Sequence, residues 1–219
     1  MNIAQYHSII DSLPPHVRLV AVSKNSPVSD ISQLYKEGHR IFGENKVQEL
    51  QKKHELLPQD IEWHFIGHLQ RNKVKYIAPF VKMIHAVDSL PLLIEIDKQA
   101  KKNNRTIACL LQFHIAQEDT KFGLSLEEAE KLLNDEAYNT LKNIEIQGVM
   151  GMATFTSDIN QVKIEFQKLH SIFISLQEHF FKNCNTFREI SMGMTDDYSI
   201  AIEEGSTLVR IGSAIFSSR

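Results

Sequence analysis

A chain of 219 residues suits one large α/β domain, and 42% hydrophobic against 23% charged residues excludes disorder, because it supplies enough apolar material for a sizeable core. With 24 Lys and Arg against 27 Asp and Glu, a formal charge of -3, the chain lacks the electrostatic footprint for gripping nucleic acid or an anionic membrane. Its N-terminal MNIAQYHSIIDSL has no basic flank or long apolar stretch, and no apolar run approaches the roughly 20 residues that span a bilayer, so a cytoplasmic protein is expected.

After an N-terminal helix, the first strand is predicted over 18–24 (RLVAVSK), and the helix behind it carries Pro27 in its first turn and is closed by Gly38. The second strand is RIFGEN (40–45). A polar helix then runs to about Leu57, where Pro58 stops it, and EWHFIG (62–67) is the third strand. VKMIHAVD (81–88) is the fourth. A helix starting near Ser89 and Pro91 leads to the longest strand, TIACLLQFHIA (106–116), with the loop QEDTKFG behind it. The sixth strand is IEIQGVMGM (144–152). Over about 158–180, Val162, Phe166, Leu169, Phe173 and Leu176 recur every three or four residues, which buries one face of a long helix. FREISMGM (187–194) is the seventh strand, and after a short helix closed by Gly205 the eighth is TLVRIG (207–212).

Short apolar runs alternating with helical segments fit either an eight-stranded parallel barrel or an open doubly wound sheet. The strand count favours the barrel, and no G-x-G-x-x-G follows the first strand. The expected fold is therefore α/β: a single-domain (β/α)8 TIM barrel over residues 1–219, with an additional N-terminal helix.

In such a barrel the strand C-termini and the loops behind them form the functional face. Lys24 ends the first strand and Asn45 the second. A lysine at an apolar barrel rim is partly desolvated, which exposes a nucleophilic amine able to condense with an aldehyde. Taken alone, a lysine at a strand end more often turns its head into water. At the other end of the chain, Gly212 and Ser213 directly follow the eighth strand, and Ser191, Gly193 and Thr195 lie in SMGMTDD. Loops after strands seven and eight frequently hold phosphate, although a plain turn and a helix cap explain the same residues singly. Arg210 shares a strand face with Gly212 and needs a partner in the barrel mouth, either a ligand or a nearby carboxylate. His64, His68, His85 and His114 form no H-x-x-x-H pair and have no clustered partners, and Cys109 and Cys184 lack ligand spacing, so no metal site is expected. KNNR and LQRNKVK read as solvated basic surface.

AVSK at Lys24, FGENKVQEL from Phe42, EWHFIGHLQRNK from Glu62, HAVDSL from His85 and SMGMTDDYSIAIEEGSTLVRIGSAIF from Ser191 resemble, in order and through nearly the whole chain, the pyridoxal phosphate (PLP) homeostasis protein family. The resemblance implies the barrel of the alanine racemase N-terminal domain, a Schiff base between PLP and Lys24, and Asn45 near the cofactor. It further implies that Arg210 faces the pyridine nitrogen and that Gly212 and Ser213 hold the phosphate, helped by Ser191 or Thr195 and by the backbone of Met194. Two departures stand out: Gln112-Phe113-His114 replaces an Asn-containing strand end, and the tail reads IFSSR without a glycine. The implied role is non-catalytic buffering or delivery of PLP, with PLP-dependent apoenzymes as partners and the chain a monomer. The alternative is a PLP-dependent amino-acid racemase or lyase. A two-base racemase draws one base from a second, β-rich domain, which a chain ending at Arg219 is not expected to supply.

Overall fold

In the computed structural model, which describes residues 1–118 and 122–216, eight strands close into one parallel barrel in chain order. The centre of the QEDTKFG loop, residues 119–121, and the tail 217–219 lie outside the described residues. Helix α1 (Ile3–Ser12) comes first and, because the Asn2 amide donates to the Ile215 carbonyl at 2.7 Å, lies against the C-terminal helix α10 (Ser213–Phe216). The barrel strands are β1 (Arg18–Val22), β2 (Ile41–Glu44), β3 (Glu62–Phe65), β4 (Met83–Val87), β5 (Ile107–Phe113), β6 (Ile144–Gly151), β7 (Glu189–Ser191) and β8 (Leu208–Ile211). Between them run α2 (Val28–Lys36), α3 (Val47–Leu56), α4 (Val74–Ile77), α5 (Leu90–Lys102), α6 (Leu126–Leu133), α7 (Glu136–Thr140), α8 (Ile159–His179) and α9 (Tyr198–Glu203). No described helix is long and apolar enough to cross a membrane.

The predicted elements are all present, but the strands stop earlier than the apolar runs do. β1 ends at Val22, two residues before Lys24, and β7 is reduced to Glu189–Ser191, because Gly193 takes φ +93 and turns the chain away. A Cβ on Gly193 would lie 2.6 Å from the Ala201 Cβ, so the turn that packs α9 onto β7 admits no side chain there. Closure comes from β1 against β8, with Val20 beside Arg210 and Ala21 beside Ile211. One basic cluster departs from expectation. Arg105 of KNNR is half-buried and donates to the Ala78 and Val81 carbonyls at 2.6 and 2.8 Å, tying the end of α4 to α5's return.

Alternation along each strand separates two cores. Outward residues such as Leu19, Phe42, Trp63, Ile84, Leu111 and Val209 pack under the helices, where Val162, Phe166, Leu169, Phe173 and Leu176 of α8 join them as expected. Inward residues Val20, Met83, Ala86, Ala108, Leu110, Met150 and Leu208 fill the barrel. Also inward, on the same alternation, are His64, His85, Ser191 and Arg210, all buried.

Burial makes three histidines sensitive to acid. It pushes His39 down to about 4 and His64 down to about 3 from the usual 6.5, and carries His85 well below that value. The folded chain keeps these rings neutral while the unfolded chain protonates them below about 6.5, so their contribution is complete above that value and lost as the pH falls. Glu44 and Asp197, whose carboxyls are raised by burial, act in the opposite sense, two groups against three histidines. Acidification from about pH 7.5 to about pH 5 should therefore remove about 2 kcal/mol per histidine and lower the Tm. A Tm that holds or rises over that interval contradicts neutral burial of these rings.

Candidate functional site

The barrel's C-terminal mouth opens into a cavity of about 440 Å³ lined by Lys24, Asn45, Met194, Thr195, Arg210, Gly212 and Ser213, seven of the residues singled out in the sequence. A larger hollow, about 710 Å³, lies on the barrel's flank between Arg71 and α5, away from the strand ends. The mouth is where side chains from β1, β2, β7 and β8 meet, so the site is taken to be there.

Lys24 is exposed at the rim rather than desolvated as its apolar strand suggested. It sits in a tight turn whose next residue, Asn25, has φ +61, a conformation Asn tolerates better than most residues. That turn is strapped down from beneath. Lys53 of α3 donates to the Ser23 carbonyl at 2.8 Å and to Glu44 Oε1 at 2.7 Å, and the Ser23 hydroxyl donates to the same Oε1 at 2.6 Å. Glu44 is fully buried and its other oxygen, Oε2, has no partner. Burial raises its carboxyl above the usual 4.5, against the pull of Lys53 and Ser23. One buried ion pair thus fixes the ends of both β1 and β2, which carry Lys24 and Asn45. Gly67 follows from the same crowding: a Cβ there would lie 2.3 Å from the Asn45 carbonyl oxygen.

At the opposite wall, Gly212 lets the end of β8 pass against β1, since a Cβ would lie 2.9 Å from the Val22 carbonyl oxygen. Directly after it the Ser213 hydroxyl donates to Thr195 Oγ1 at 3.0 Å, so two hydroxyls from the β7 and β8 loops converge. Met194 lines the cavity; its amide donates to Asp197 Oδ1 and its carbonyl accepts from Asp197 and Tyr198, so both backbone groups are bonded within the turn. Ser191 is not in the cavity wall. It is fully buried beneath, so the choice between it and Thr195 as a cavity hydroxyl falls to Thr195.

Arg210 is buried and donates to the Ser191 carbonyl at 2.7 Å, the Ser191 hydroxyl at 2.6 Å and the Gly151 carbonyl at 3.0 Å. Among the described residues no carboxylate comes within ion-pair distance. Burial lowers its guanidinium to about 10, with Asp197 the carboxylate whose field partly offsets this. The remaining wall includes His68, Phe122 and Gln112. The Gln112 amide donates to the Phe122 carbonyl at 3.0 Å, and the Phe122 ring stacks on His68 at 4.3 Å, which in turn faces Asp88 at 3.5 Å. The unusual Gln112-Phe113-His114 segment marked this wall in the sequence; the pairing of Phe122 with His68 left no local signal.

The family model described as alanine racemase, N-terminal domain, matches residues 2–219. A protein of Aquifex aeolicus named pyridoxal phosphate homeostasis protein is 38% identical over 203 residues, 92% of this chain and 87% of its own. One of the same name from Synechocystis is 35% identical over 216 residues, 98% of this chain and 97% of its own. The chain belongs to the pyridoxal phosphate homeostasis protein family. PipY of Synechococcus elongatus, 31% identical and matched over 98% of this chain and 99% of its own, superposes with a TM-score of 0.91 without PLP and 0.89 with PLP bound. The barrel expected from the family is the one observed. An alanine racemase of Bartonella henselae, 16% identical with a TM-score of 0.71 over 58% of its chain, shares the fold alone. These family relatives carry the name of homeostasis proteins rather than of enzymes.

The strap beneath Lys24 is open to test. Lys53→Met strands the buried Glu44 and should cost about 3 kcal/mol or more in urea unfolding, with a loss that grows as the pH rises above the ordinary carboxylate range. Adding Glu44→Leu should recover most of that stability. An equal loss in the single and double variants would show that Lys53 acts through its packing alone.

Proposed function

We propose that this protein binds pyridoxal 5'-phosphate, holds it as a Schiff base on Lys24 and takes part in intracellular PLP homeostasis, buffering the cofactor or delivering it to PLP-dependent apoenzymes in the cytoplasm without catalytic turnover. One observation carries the reading: an exposed primary amine and a buried guanidinium with no carboxylate partner among the described residues line one cavity, opposite a converging hydroxyl pair. When bound, PLP supplies an aldehyde, a ring nitrogen and a phosphate dianion. The residues present fit those three groups separately.

Lys24 provides the amine whose condensation with the aldehyde forms a C=N bond and releases water. Thr195 and Ser213, with the side-chain-free surface of Gly212, receive the phosphate where β7 and β8 end. Arg210 addresses the ring nitrogen, and its permanent charge keeps that nitrogen unprotonated, which weakens the ring as an electron sink and favours holding over turnover. Asn45 borders the ring from β2. The family names borne by the relatives support the homeostasis role.

The purified protein loaded with PLP should be yellow, and borohydride should fix the label on Lys24, while Lys24→Ala stays colourless. Undiminished imine absorbance in Lys24→Ala would contradict the attachment. Prolonged incubation of the loaded protein with L-amino acids should give no D-isomer, keto acid or amine; steady release of any of these would replace the carrier with an enzyme.

A further inference from the structure

Beneath the cavity, four buried polar side chains from four strands form a continuous hydrogen-bonded line across the barrel. Arg210 Nη1 donates to Ser191 Oγ at 2.6 Å, Ser191 Oγ meets His85 Nδ1 at 2.9 Å, and His85 Nε2 meets His64 Nδ1 at 2.9 Å. Arg210 is 4% exposed, His64 1%, and Ser191 and His85 not at all. None of the last three touches the cavity; with Thr195 the hydroxyl in the cavity wall, Ser191 joins the two histidines in having no contact with the cavity.

In one direction every proton of Ser191 and His85 along the line has a recorded acceptor. Arginine is a donor only, so the Ser191 oxygen must accept from it, and the serine proton has one remaining acceptor within reach, His85 Nδ1. The reverse arrangement, with His85 Nδ1 protonated, would bury the serine proton without a partner, at a cost of about 1–3 kcal/mol. His85 therefore carries its proton on Nε2 and donates it to His64 Nδ1, and His64 carries its own on Nε2. Burial and the nearby positive charge of Arg210 and Arg18 keep both rings neutral. A carboxylate in place of Ser191 would hold the guanidinium equally firmly but would cancel the charge presented to the cavity.

We infer that Ser191, His85 and His64 are positioning residues that act through Arg210: a one-directional chain of neutral acceptors fixes the guanidinium's orientation while leaving its positive charge directed at the cofactor's ring nitrogen. This rests on the PLP reading of the cavity. Its selective content is that each acceptor in the chain is uncharged, so the proton order that satisfies Ser191 polarises away from Arg210.

The test uses the full chain, with Ser191→Ala, His85→Leu and His85→Asn, whose amide oxygen can replace Nδ1 as an acceptor. Two measurements are taken: the PLP dissociation constant with the pH titration of the imine absorbance, and side-chain nitrogen NMR of the histidines in the PLP-free protein. Ser191→Ala and His85→Leu should still form the imine on Lys24, yet bind PLP about tenfold more weakly and shift the imine's titration, with His85→Asn recovering most of both. In the PLP-free wild type, His85 and His64 should each show a protonated Nε2 and a bare Nδ1, and Ser191→Ala should move the His85 Nδ1 resonance. Unchanged affinity and titration in folded Ser191→Ala and His85→Leu would overturn the inference, as would a protonated His85 Nδ1 in the wild type. If wild-type protein forms no imine at all, the PLP reading fails instead, and the NMR tautomers alone decide the chain's direction.

Discussion

A guanidinium held inside a parallel barrel with no carboxylate at ion-pair distance among the described residues is the constraint around which the rest is arranged. Removing a full charge from water is costly, and a buried arginine is ordinarily matched by a carboxylate. Arg210 instead meets two carbonyls and a hydroxyl, and the neighbouring inward positions are kept neutral to suit it: His64 and His85 stay uncharged, and Ser191 is small enough to lie between. Gly151, whose carbonyl takes one of the donors, is closely packed, and a Cβ there would lie 2.8 Å from Ile115 Cδ1 and make that side chain shift. The cation is thus tolerated because the wall around it is polar and close-fitting, and its unspent field points up into the cavity.

The two reactive ends of the mouth are stiffened by opposite means. On the Arg210 side the support is internal and neutral, running across the barrel from β8 to β3. On the Lys24 side it is external and ionic, with Lys53 and Glu44 holding the ends of β1 and β2 from the helix layer. The division follows from where each side chain points. Glu44 faces outward toward α3, where an ammonium on a long stem can reach it, whereas Arg210 faces inward, where the groups it meets are carbonyls and a hydroxyl.

Much of this was legible in the sequence, and what was not has a common cause. Apolar runs and their spacing located every strand, and motif matches placed Lys24, Asn45, Thr195, Arg210, Gly212 and Ser213 at one mouth, because those signals are local. Alternation also put Arg210 on the face of Gly212, in the barrel mouth. What alternation cannot supply is which inward residues touch across the barrel, since β3, β4, β7 and β8 are brought together only by closure. Hence Ser191 passed for a cavity hydroxyl and the histidines for unrelated packing residues. Lys53 was hidden for a parallel reason: on a polar helix it looked like surface, and only the helix's seating on β1 and β2 buries it. The hold on the Met194 amide was hidden as well, because the turn that captures it depends on Asp197 three residues on.

The distribution of exposure across the mouth bears on how such a protein would work as a carrier. Lys24 and Ser213 are exposed while Arg210 is buried, so the covalent end and part of the anion end of the proposed cofactor site are reachable by solvent, and the ring-nitrogen end is not. On the proposed reading, the Lys24 end would be open to solvent without the barrel opening, whereas the Arg210 end would be enclosed. An enzyme of the racemase kind needs the reverse arrangement at its reacting carbon, with water excluded and bases fixed on both faces. The proposed carrier role would thereby divide holding and exchange between an enclosed residue, Arg210, and an exposed one, Lys24.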